Sequence, residues 1–374
     1  MPRVADAVRR FGPAYLARHG ARVLPSHRRA LDDLAACRTA AFGGQVRRCD
    51  ACGYEHYVYH SCRNRSCPTC HGAATAAWLA AREAELLPVL HFHVVFTLPA
   101  ALRDLVRAQQ RVLLPLLMRT AAESLQALAA DPHYVGGTLG ILAVLHTWTR
   151  ALVYHPHVHC LVPGGACDPG DGAWRAARGD FLVPVRALSA RFRGRFLARL
   201  KAALPTAVIP ATVWHTPWVV YCKPTVQGSA AVLRYLARYV HRIAITDARI
   251  VAVDDAHVTF SYKEATKAAA PRWRTMTLPG EEFLRRFLQH VLPRGVHKVR
   301  YYGLWHPVAR SRREALQRQL APPDAPPPAP PAAAEGSTPA LARVDRCPAC
   351  GHGTLRVVGQ LPRAPFRLLS GIPP

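Results

Sequence analysis

Residues 154–162 read Tyr-His-Pro-His-Val-His-Cys-Leu-Val. This segment predicts both a central strand of the fold and the ligands of a metal site. In a β-strand successive side chains point to opposite faces, so the three histidines share one face and the residues Val158, Cys160 and Val162 share the other. The apolar face predicts a buried sheet surface. His157 and His159, separated by one hydrophobic residue, can together hold a divalent cation and leave further coordination positions for phosphate oxygens. A polar sheet face without metal is the alternative for this pattern alone.

Segments rich in β-branched and aromatic residues surround this strand, and two of the three end at Pro or Gly. They are 91–99, 137–150 and 149–165, and helical patterns occur at 72–88, 102–130, 189–204 and 229–242. Mixed strands and helices over one continuous region predict an α+β domain. The predicted divisions of the chain are an N-terminal helical segment 1–36, a zinc-binding domain 37–85, a catalytic domain 86–320, a Pro-rich linker 321–340 and a C-terminal tail 341–374.

The chain is strongly basic. Its 374 residues include 49 Lys plus Arg against 23 Asp plus Glu, a formal net charge of +26. Such an excess argues against an ordinary metabolic enzyme and favours a polyanionic partner, of which nucleic acid is the commonest. Half of the residues are hydrophobic, which is enough to build a core and excludes a disordered basic tail.

Cysteine usage predicts zinc. Six of the 11 cysteines lie between Cys37 and Cys70, a density that suits metal binding better than disulfides in a reducing compartment. The pairs Cys49-x-x-Cys52 and Cys67-x-x-Cys70 are predicted to hold one structural Zn²⁺. Cys37 and Cys62 leave the ligand set open and would allow a second ion.

A further CxxC pair lies in the tail, at Cys347 and Cys350. Two cysteines do not hold zinc alone, so this CxxC turn, a short knuckle, is a weaker candidate for a metal site. In the N-terminal cysteine region, the run Arg63-Asn64-Arg65 suggests contact with DNA.

The helix around residues 231–245 carries two tyrosines that stand four apart and therefore project from one helix face. These are Tyr235 and Tyr239, beside a basic ridge of Arg234, Arg238 and Arg242. A phenol has a pKa near 10 and is a poor nucleophile at pH 7, so tyrosine attack on a phosphodiester needs a metal ion and nearby cations. An aromatic stripe packed in the core is the alternative.

Taken together, these blocks resemble the two-tyrosine HUH transposases of rolling-circle insertion sequences, the insertion-sequence ninety-one (IS91) group. The resemblance runs from about residue 37 to 307. The blocks that carry it are CRTAAFGGQVRRCDACG, SCRNRSCPTC, HVVFTLP, HTWTRALVYHPHVHCLVPGG, VYCKP, AVLRYLARYVHRIAI and a segment from MTL at 276 to YYGLWHP at 301–307.

The resemblance implies an HUH endonuclease-like domain, an antiparallel sheet flanked by helices, preceded by a small zinc-binding domain. It implies that Mg²⁺ or Mn²⁺ binds His157, His159 and a third ligand that the sequence leaves unassigned. Tyr235 and Tyr239 would then be the nucleophiles, forming a 5′-phosphotyrosine link and a free 3′-OH that primes the host replication machinery. Lys223 and Arg238 would stabilise charge. The substrates would be single-stranded transposon ends and target DNA.

Two alternatives remain open from the sequence. One is a plasmid replication initiator or conjugative relaxase with the same chemistry. The other is a non-enzymatic, zinc-dependent DNA-binding regulator. No segment approaches 18 uncharged apolar residues, so we expect no membrane partner and a cytoplasmic, nucleoid-associated protein.

Overall fold

The structure is a computed structural model that describes residues 1–225, 229–240, 244–264, 272–322 and 346–364. Within these ranges the side chains of Ser229, Tyr235, Arg238 and Tyr239 are not described. The helices are α1 (Val4–His19), α2 (Pro25–Ala36), α3 (Gly72–Glu83), α4 (Arg103–Ala108), α5 (Gln110–Ala129), α6 (Val185–Ala203), α7 (Thr212–His215), α8 (Ser229–Val240), α9 (Gly280–Leu288) and α10 (Arg310–Leu320). Single 3-10 turns occupy Gly20–Arg22, Ala40–Phe42, Ala100–Leu102, Asp247–Arg249 and Pro307–Ala309.

The strands are β1 (Gly44–Cys49), β2 (Glu55–Tyr59), β3 (His91–Thr97), β4 (Gly140–Trp148), β5 (Tyr154–Pro163), β6 (Gly165–Cys167), β7 (Trp174–Ala176), β8 (Val220–Pro224), β9 (Ile250–Val253), β10 (His257–Glu264), β11 (Arg272–Pro279), β12 (Val299–Gly303) and β13 (Leu355–Leu361).

A five-stranded sheet in the order β12-β4-β5-β3-β8 forms the centre of the molecule, and every neighbouring pair in it is antiparallel. The apolar face predicted for β5 is buried, as Val158, Cys160 and Val162 are fully enclosed. Helices α5 and α6 cover this face, for example through Leu117 and Phe196. Each such buried Leu or Phe side chain stabilises the fold by about 1.5–3 kcal/mol.

The opposite face of the sheet is covered by α3, α8 and α10. Leu142, Val144 and Leu161 of the sheet pack with Leu233 and Leu236 of α8. The apolar residues of α8 recur at the three- and four-residue spacing of an amphipathic helix. The predicted α+β architecture, an antiparallel sheet flanked by helices, is confirmed.

A second core joins the N-terminal helices to residues between 244 and 291. It combines α1 and α2 with α9 and the sheet β11-β10-β9. Cys37 and Cys67 belong to the same core as Phe260 and Phe283. The predicted segments 1–36, 37–85 and 86–320 therefore share one apolar core at this point.

A small sheet in the order β13-β1-β2 contains two strands of the predicted segment 37–85. The β1–β2 hairpin is local, whereas β13 comes from the C-terminal tail and pairs with β1 from Gly44↔Leu361 to Cys49↔Leu355. Most of the predicted linker 321–340 lies outside the described residues.

The single helical pattern predicted over 102–130 is two helices, α4 and α5. They are separated at Gln109, whose φ of −115° and ψ of 39° are not helical. Within the described residues, no helix combines the length and the apolar character needed to cross a membrane.

His290 follows α9 and is fully buried. Its Nδ1 lies 3.2 Å from Thr147 Oγ1, and its ring stacks on Tyr154. Burial lowers the pKa of His290 to about 3. The folded protein therefore holds this imidazole neutral, whereas the unfolded chain binds a proton near the usual pKa of about 6.5. Stability consequently falls as the pH drops below 6.5, at about 1.4 kcal/mol per pH unit for this group, until the folded group itself protonates.

We expect His290→Asn to be less stable than the wild type at pH 7 but to lose about 2 kcal/mol less between pH 7 and pH 5. Urea unfolding at both pH values measures this difference, with the exposed His133→Asn as control. An equal loss of stability in wild type and His290→Asn would show that His290 does not contribute to the pH dependence.

Candidate active site and zinc centres

Three histidines meet on the sheet face that α8 covers. His146 of β4 lies opposite His157 of β5, and His159 is two residues further along β5. Their ring centroids are 5.2 Å apart for His146–His157, 4.3 Å for His146–His159 and 4.9 Å for His157–His159. One ring nitrogen from each lies within 4.8 Å of the others. We call these residues the histidine trio.

The structure thus brings together the two predicted ligands, His157 and His159, and adds His146 as a candidate third. His146 was not predicted because it belongs to a different strand from the other two histidines. The only signal was its place in the segment HTWTR, about one hairpin turn before the strand of the other two.

Hydrogen bonds fix the orientation of the ligand rings. His157 Nδ1 lies 2.6 Å from the carbonyl oxygen of His155. The carbonyl can only accept, so Nδ1 carries the proton and Nε2 presents its lone pair. His159 Nδ1 lies 2.8 Å from His93 Nε2, and these two rings stack with centroids 5.0 Å apart.

Burial also sets the charge of the trio. It lowers the pKa of His157 to about 4 and holds the pKa values of His146 and His159 well below the usual range. Repulsion among the neighbouring imidazoles lowers the pKa values of His146 and His159 further. The three rings are therefore neutral at pH 7, which is the form of histidine that binds metal. Three neutral nitrogens converging from one rigid sheet fit a divalent cation.

His155 lies on the same strand and the same sheet face as His157 and His159, but its ring contacts an arginine. Its Nδ1 lies 3.0 Å from a guanidinium nitrogen of Arg103, at the start of α4. Burial and the positive charge of Arg103 lower the pKa of His155.

Lys223 lies on the same sheet face, two strands away from β5. It is exposed and stands directly opposite His93, the histidine that bonds His159. Tyr221, two residues earlier on β8, is 44% exposed and meets the His93 ring edge-on at 5.8 Å. The predicted charge-stabilising lysine is thus placed beside the histidines.

Helix α8 crosses this face. Its residues Leu233 and Leu236 pack against Val144 and Leu161, and these lie two residues from His146 and His159 on the same side of their strands. Tyr235, Tyr239 and Arg238 belong to α8, but their side chains lie outside the described residues, as does all of Arg242.

Arg234, the first residue of the predicted basic ridge, makes an ion pair with Glu83 of α3 at 3.6 Å. Both side chains are exposed, so this pair contributes little to stability, and the apolar residues of α3 and α8 hold the two helices together.

Two four-cysteine groups occur within the described residues. The first cysteine cluster contains Cys37, Cys62, Cys67 and Cys70. Its sulfur separations are 3.7 Å for Cys37–Cys67 and 3.8 Å for Cys62–Cys70. A tetrahedral ion with Zn–S bonds of about 2.3 Å places its sulfurs about 3.8 Å apart, so this cluster has the dimensions of a zinc site.

The second cysteine cluster contains Cys49, Cys52, Cys347 and Cys350. This corrects the expectation that Cys49, Cys52, Cys67 and Cys70 share one ion. The first of those pairs lies at the turn of the β1–β2 hairpin, and the pairing of β13 with β1 brings the tail knuckle to it. The second pair instead joins Cys37 and Cys62.

Arg65 joins loop 62–70 to the segment 292–296. Its guanidinium donates to the carbonyl oxygens of Leu292 at 2.5 Å, Pro293 at 2.6 Å and Val296 at 2.7 Å. Asn64 donates to Asp33 of α2 at 2.8 Å. In the run Arg63-Asn64-Arg65, which was predicted to contact DNA, Asn64 and Arg65 therefore bind other parts of the chain. Arg63 is exposed.

Residues 140–314 match the family model described as "Putative transposase", and residues 7–98 match the model of the IS91 "Transposase zinc-binding domain". The protein named "Putative transposase y4qJ" of Sinorhizobium fredii is 42% identical over 320 residues, which cover 81% of this chain and 80% of that protein. The chain belongs to the IS91 group of transposases.

A second relative of this transposase is the "Transposase for insertion sequence element IS801" of Pseudomonas savastanoi pv. phaseolicola. It is 28% identical over 289 residues, covering 72% of this chain and 68% of the relative. No solved structure matches the transposase. The family placement confirms the predicted group, with its zinc-binding domain and its action on DNA, and favours it over the initiator, relaxase and regulator alternatives.

We expect His146→Ala in this transposase to weaken Mn²⁺ binding at least about tenfold, as much as His157→Ala, because each removes one ligand of the trio. His155→Ala is the matched control, since it removes a neighbouring histidine that bonds Arg103, and it should bind Mn²⁺ like the wild type. Electron paramagnetic resonance of free Mn²⁺ during a titration measures the affinity. Unchanged binding by His146→Ala would place the third ligand elsewhere.

Proposed function

We propose that this transposase nicks and rejoins single-stranded transposon-end DNA through a 5′-phosphotyrosine intermediate. Tyr235 and Tyr239 of α8 are the nucleophiles, and the histidine trio holds a divalent cation. The observation that carries the proposal is the packing of α8 on Val144 and Leu161, because this places the tyrosine helix across the face that carries the trio.

The covalent step exchanges one phosphodiester for another. A tyrosine oxygen bonds to the phosphorus, the bond from phosphorus to the 3′-oxygen breaks, and that oxygen leaves as a 3′-OH with the proton lost by the phenol. The free 3′-OH can prime synthesis by the host replication machinery. A second tyrosine four residues away allows one to hold a DNA end while the other cuts or accepts the next strand.

A divalent cation on the trio, when bound, would polarise the scissile phosphate and offset the charge that develops on it. Two contacts orient the histidine rings that would hold it. His157 donates a hydrogen bond to the His155 carbonyl, and His159 contacts His93. Lys223, on the same face, and Arg238 of α8 supply positive charge that favours phenolate over phenol.

The donor set discriminates between the two expected cations. Mg²⁺ prefers oxygen ligands, whereas the trio offers three imidazole nitrogens. We therefore propose that the trio would hold Mn²⁺ more tightly than Mg²⁺.

The zinc of the zinc-binding domain is structural, and we propose that the first cysteine cluster binds it. Cys37 and Cys67 are buried at the junction of α2 and loop 62–70. A zinc ion there would hold that loop in shape and so keep Arg65 on the carbonyls of segment 292–296.

We propose that DNA leaves the active region along a basic cleft next to this loop. The cleft has a volume of about 930 Å³ and is lined by loop 62–66, the α4–α5 junction and segment 291–295. Arg63, Arg111 and Arg294 line it and are exposed. Exposed guanidinium groups in a concave surface suit the phosphates of a single strand.

For the chemistry, we expect that Tyr235→Phe combined with Tyr239→Phe abolishes the covalent protein–DNA adduct, because only the attacking oxygens are removed. The test uses single-stranded transposon-end DNA labelled at its 3′ end, with Mn²⁺, and denaturing electrophoresis. Tyr221→Phe is the control, since it removes an exposed phenol on the same sheet face, and it should retain the adduct. An adduct that survives in the double variant would refute the assignment of α8.

For the cleft, we expect Arg111→Ala combined with Arg294→Ala to weaken binding of single-stranded DNA equally for all sequences. The slope of log affinity against log salt should fall in magnitude by about 1.4, because two phosphate contacts are lost. Arg186→Ala with Arg191→Ala on α6 is the charge-matched control and should keep the wild-type slope. Fluorescence anisotropy at several salt concentrations measures both. Equal slopes in the two double variants would exclude the cleft as the DNA path.

A further inference from the structure

We propose that a second zinc ion binds the second cysteine cluster and fastens the C-terminal tail to the N-terminal hairpin. Cys49 Sγ lies 3.7 Å from Cys350 Sγ, and Cys52 Sγ lies 3.7 Å from Cys347 Sγ. All four sulfurs lie within 4.8 Å of one another. These separations match the edge of about 3.8 Å expected for four thiolates around one zinc ion.

The two halves of this site are built alike. Each is a CxxC turn followed by a glycine in the left-handed region, Gly53 with φ of +73° and Gly351 with φ of +75°. The amide of Gly53 donates to the Cys49 carbonyl at 3.1 Å, and the amide of Gly351 donates to the Cys347 carbonyl at 2.8 Å. Two matching knuckles that face each other with their thiols inward are the construction of a four-cysteine zinc site.

Backbone amides also point at the sulfurs. The amide of Ala51 lies 3.4 Å from Cys49 Sγ, and the amide of Gly353 lies 3.3 Å from Cys350 Sγ. Such N–H donors stabilise thiolate, which is the form of cysteine that binds zinc.

The apolar contacts at this position are too few to hold the tail by themselves. The local buried cluster contains Cys49, Cys347 and Leu355, with Cys350 packed against it, so three of its four members are proposed ligands. Besides the backbone ladder between β13 and β1, the tail makes exposed side-chain contacts here, such as the 3.3 Å ion pair between Asp50 and Arg356. Exposed ion pairs contribute little to stability, and a module of this size usually depends on a metal or a disulfide.

The proposed ion links two parts of the chain that are almost 300 residues apart in sequence. It holds β13 along the edge of β1, which would otherwise present unpaired backbone groups. Loss of this zinc should therefore release the tail while the central sheet and the first cysteine cluster remain intact.

The test uses the full-length transposase with a recognition sequence for a specific protease inserted in the linker between residues 330 and 340. After cleavage in the presence of zinc, we expect the tail fragment to co-elute with the rest of the chain in gel filtration. Chelation, or Cys347→Ser combined with Cys350→Ser, should release it. Cys222→Ser, a cysteine outside both clusters, is the matched control and should retain the fragment.

Metal content gives a second measurement on the same uncleaved proteins. The double variant should contain one zinc ion per chain fewer than the wild type and the Cys222→Ser control. In Co²⁺-substituted protein it should lose about half of the absorption of tetrahedral cobalt thiolate. Three results would overturn the proposal. The double variant could contain as much zinc as the wild type, the tail could stay bound after chelation, or the measured mass could show disulfides between these cysteines.

Discussion

The antiparallel register of β4 and β5 is the constraint on which the rest of the site depends. Pairing His146 with His157 and Leu145 with Val158 sends the histidines to one face and the apolar residues to the core. Since the side-chain period of a strand is two, a slip by one residue would move the histidines to the face that α5 and α6 cover and move the apolar residues to the face that α8 covers. The fold and the site are thus specified by the same pairing, and the apolar face that α5 and α6 cover fixes the geometry of the trio.

Three successive contacts connect the β4–β5 hairpin to the zinc-binding domain. Arg65 bonds the carbonyls of segment 292–296, and its own carbonyl accepts a hydrogen bond from Lys298 at 3.4 Å. The backbone carbonyl of Lys298 in turn accepts from the amide of Leu145 at 2.7 Å, one residue before His146. Burial lowers the pKa of Lys298 to about 7. A structural zinc in the first cysteine cluster would therefore stabilise the end of β4 that carries His146, in addition to its own loop.

Local patterns in the sequence predicted the local parts of this structure. Alternation along 154–162 predicted β5 and its two faces, and helical spacing predicted α6 and α8. Features that depend on distant pairing were missed: His146 joins the trio through a neighbouring strand, and Cys347 joins Cys49 only because β13 crosses back to β1. The strands β9–β11 were also not predicted, although Val258, Phe260 and Tyr262 alternate with polar residues along β10. The proposed nucleophiles rest on the position of α8, since their side chains lie outside the described residues.

The central claim is that His146, His157 and His159 together hold the catalytic cation. Anomalous diffraction from crystals of the protein soaked in Mn²⁺, collected on both sides of the manganese absorption edge, tests it most directly. We expect a manganese peak within bonding distance of one nitrogen from each of the three histidines. A peak held by other residues, or one that lacks His146, would contradict it.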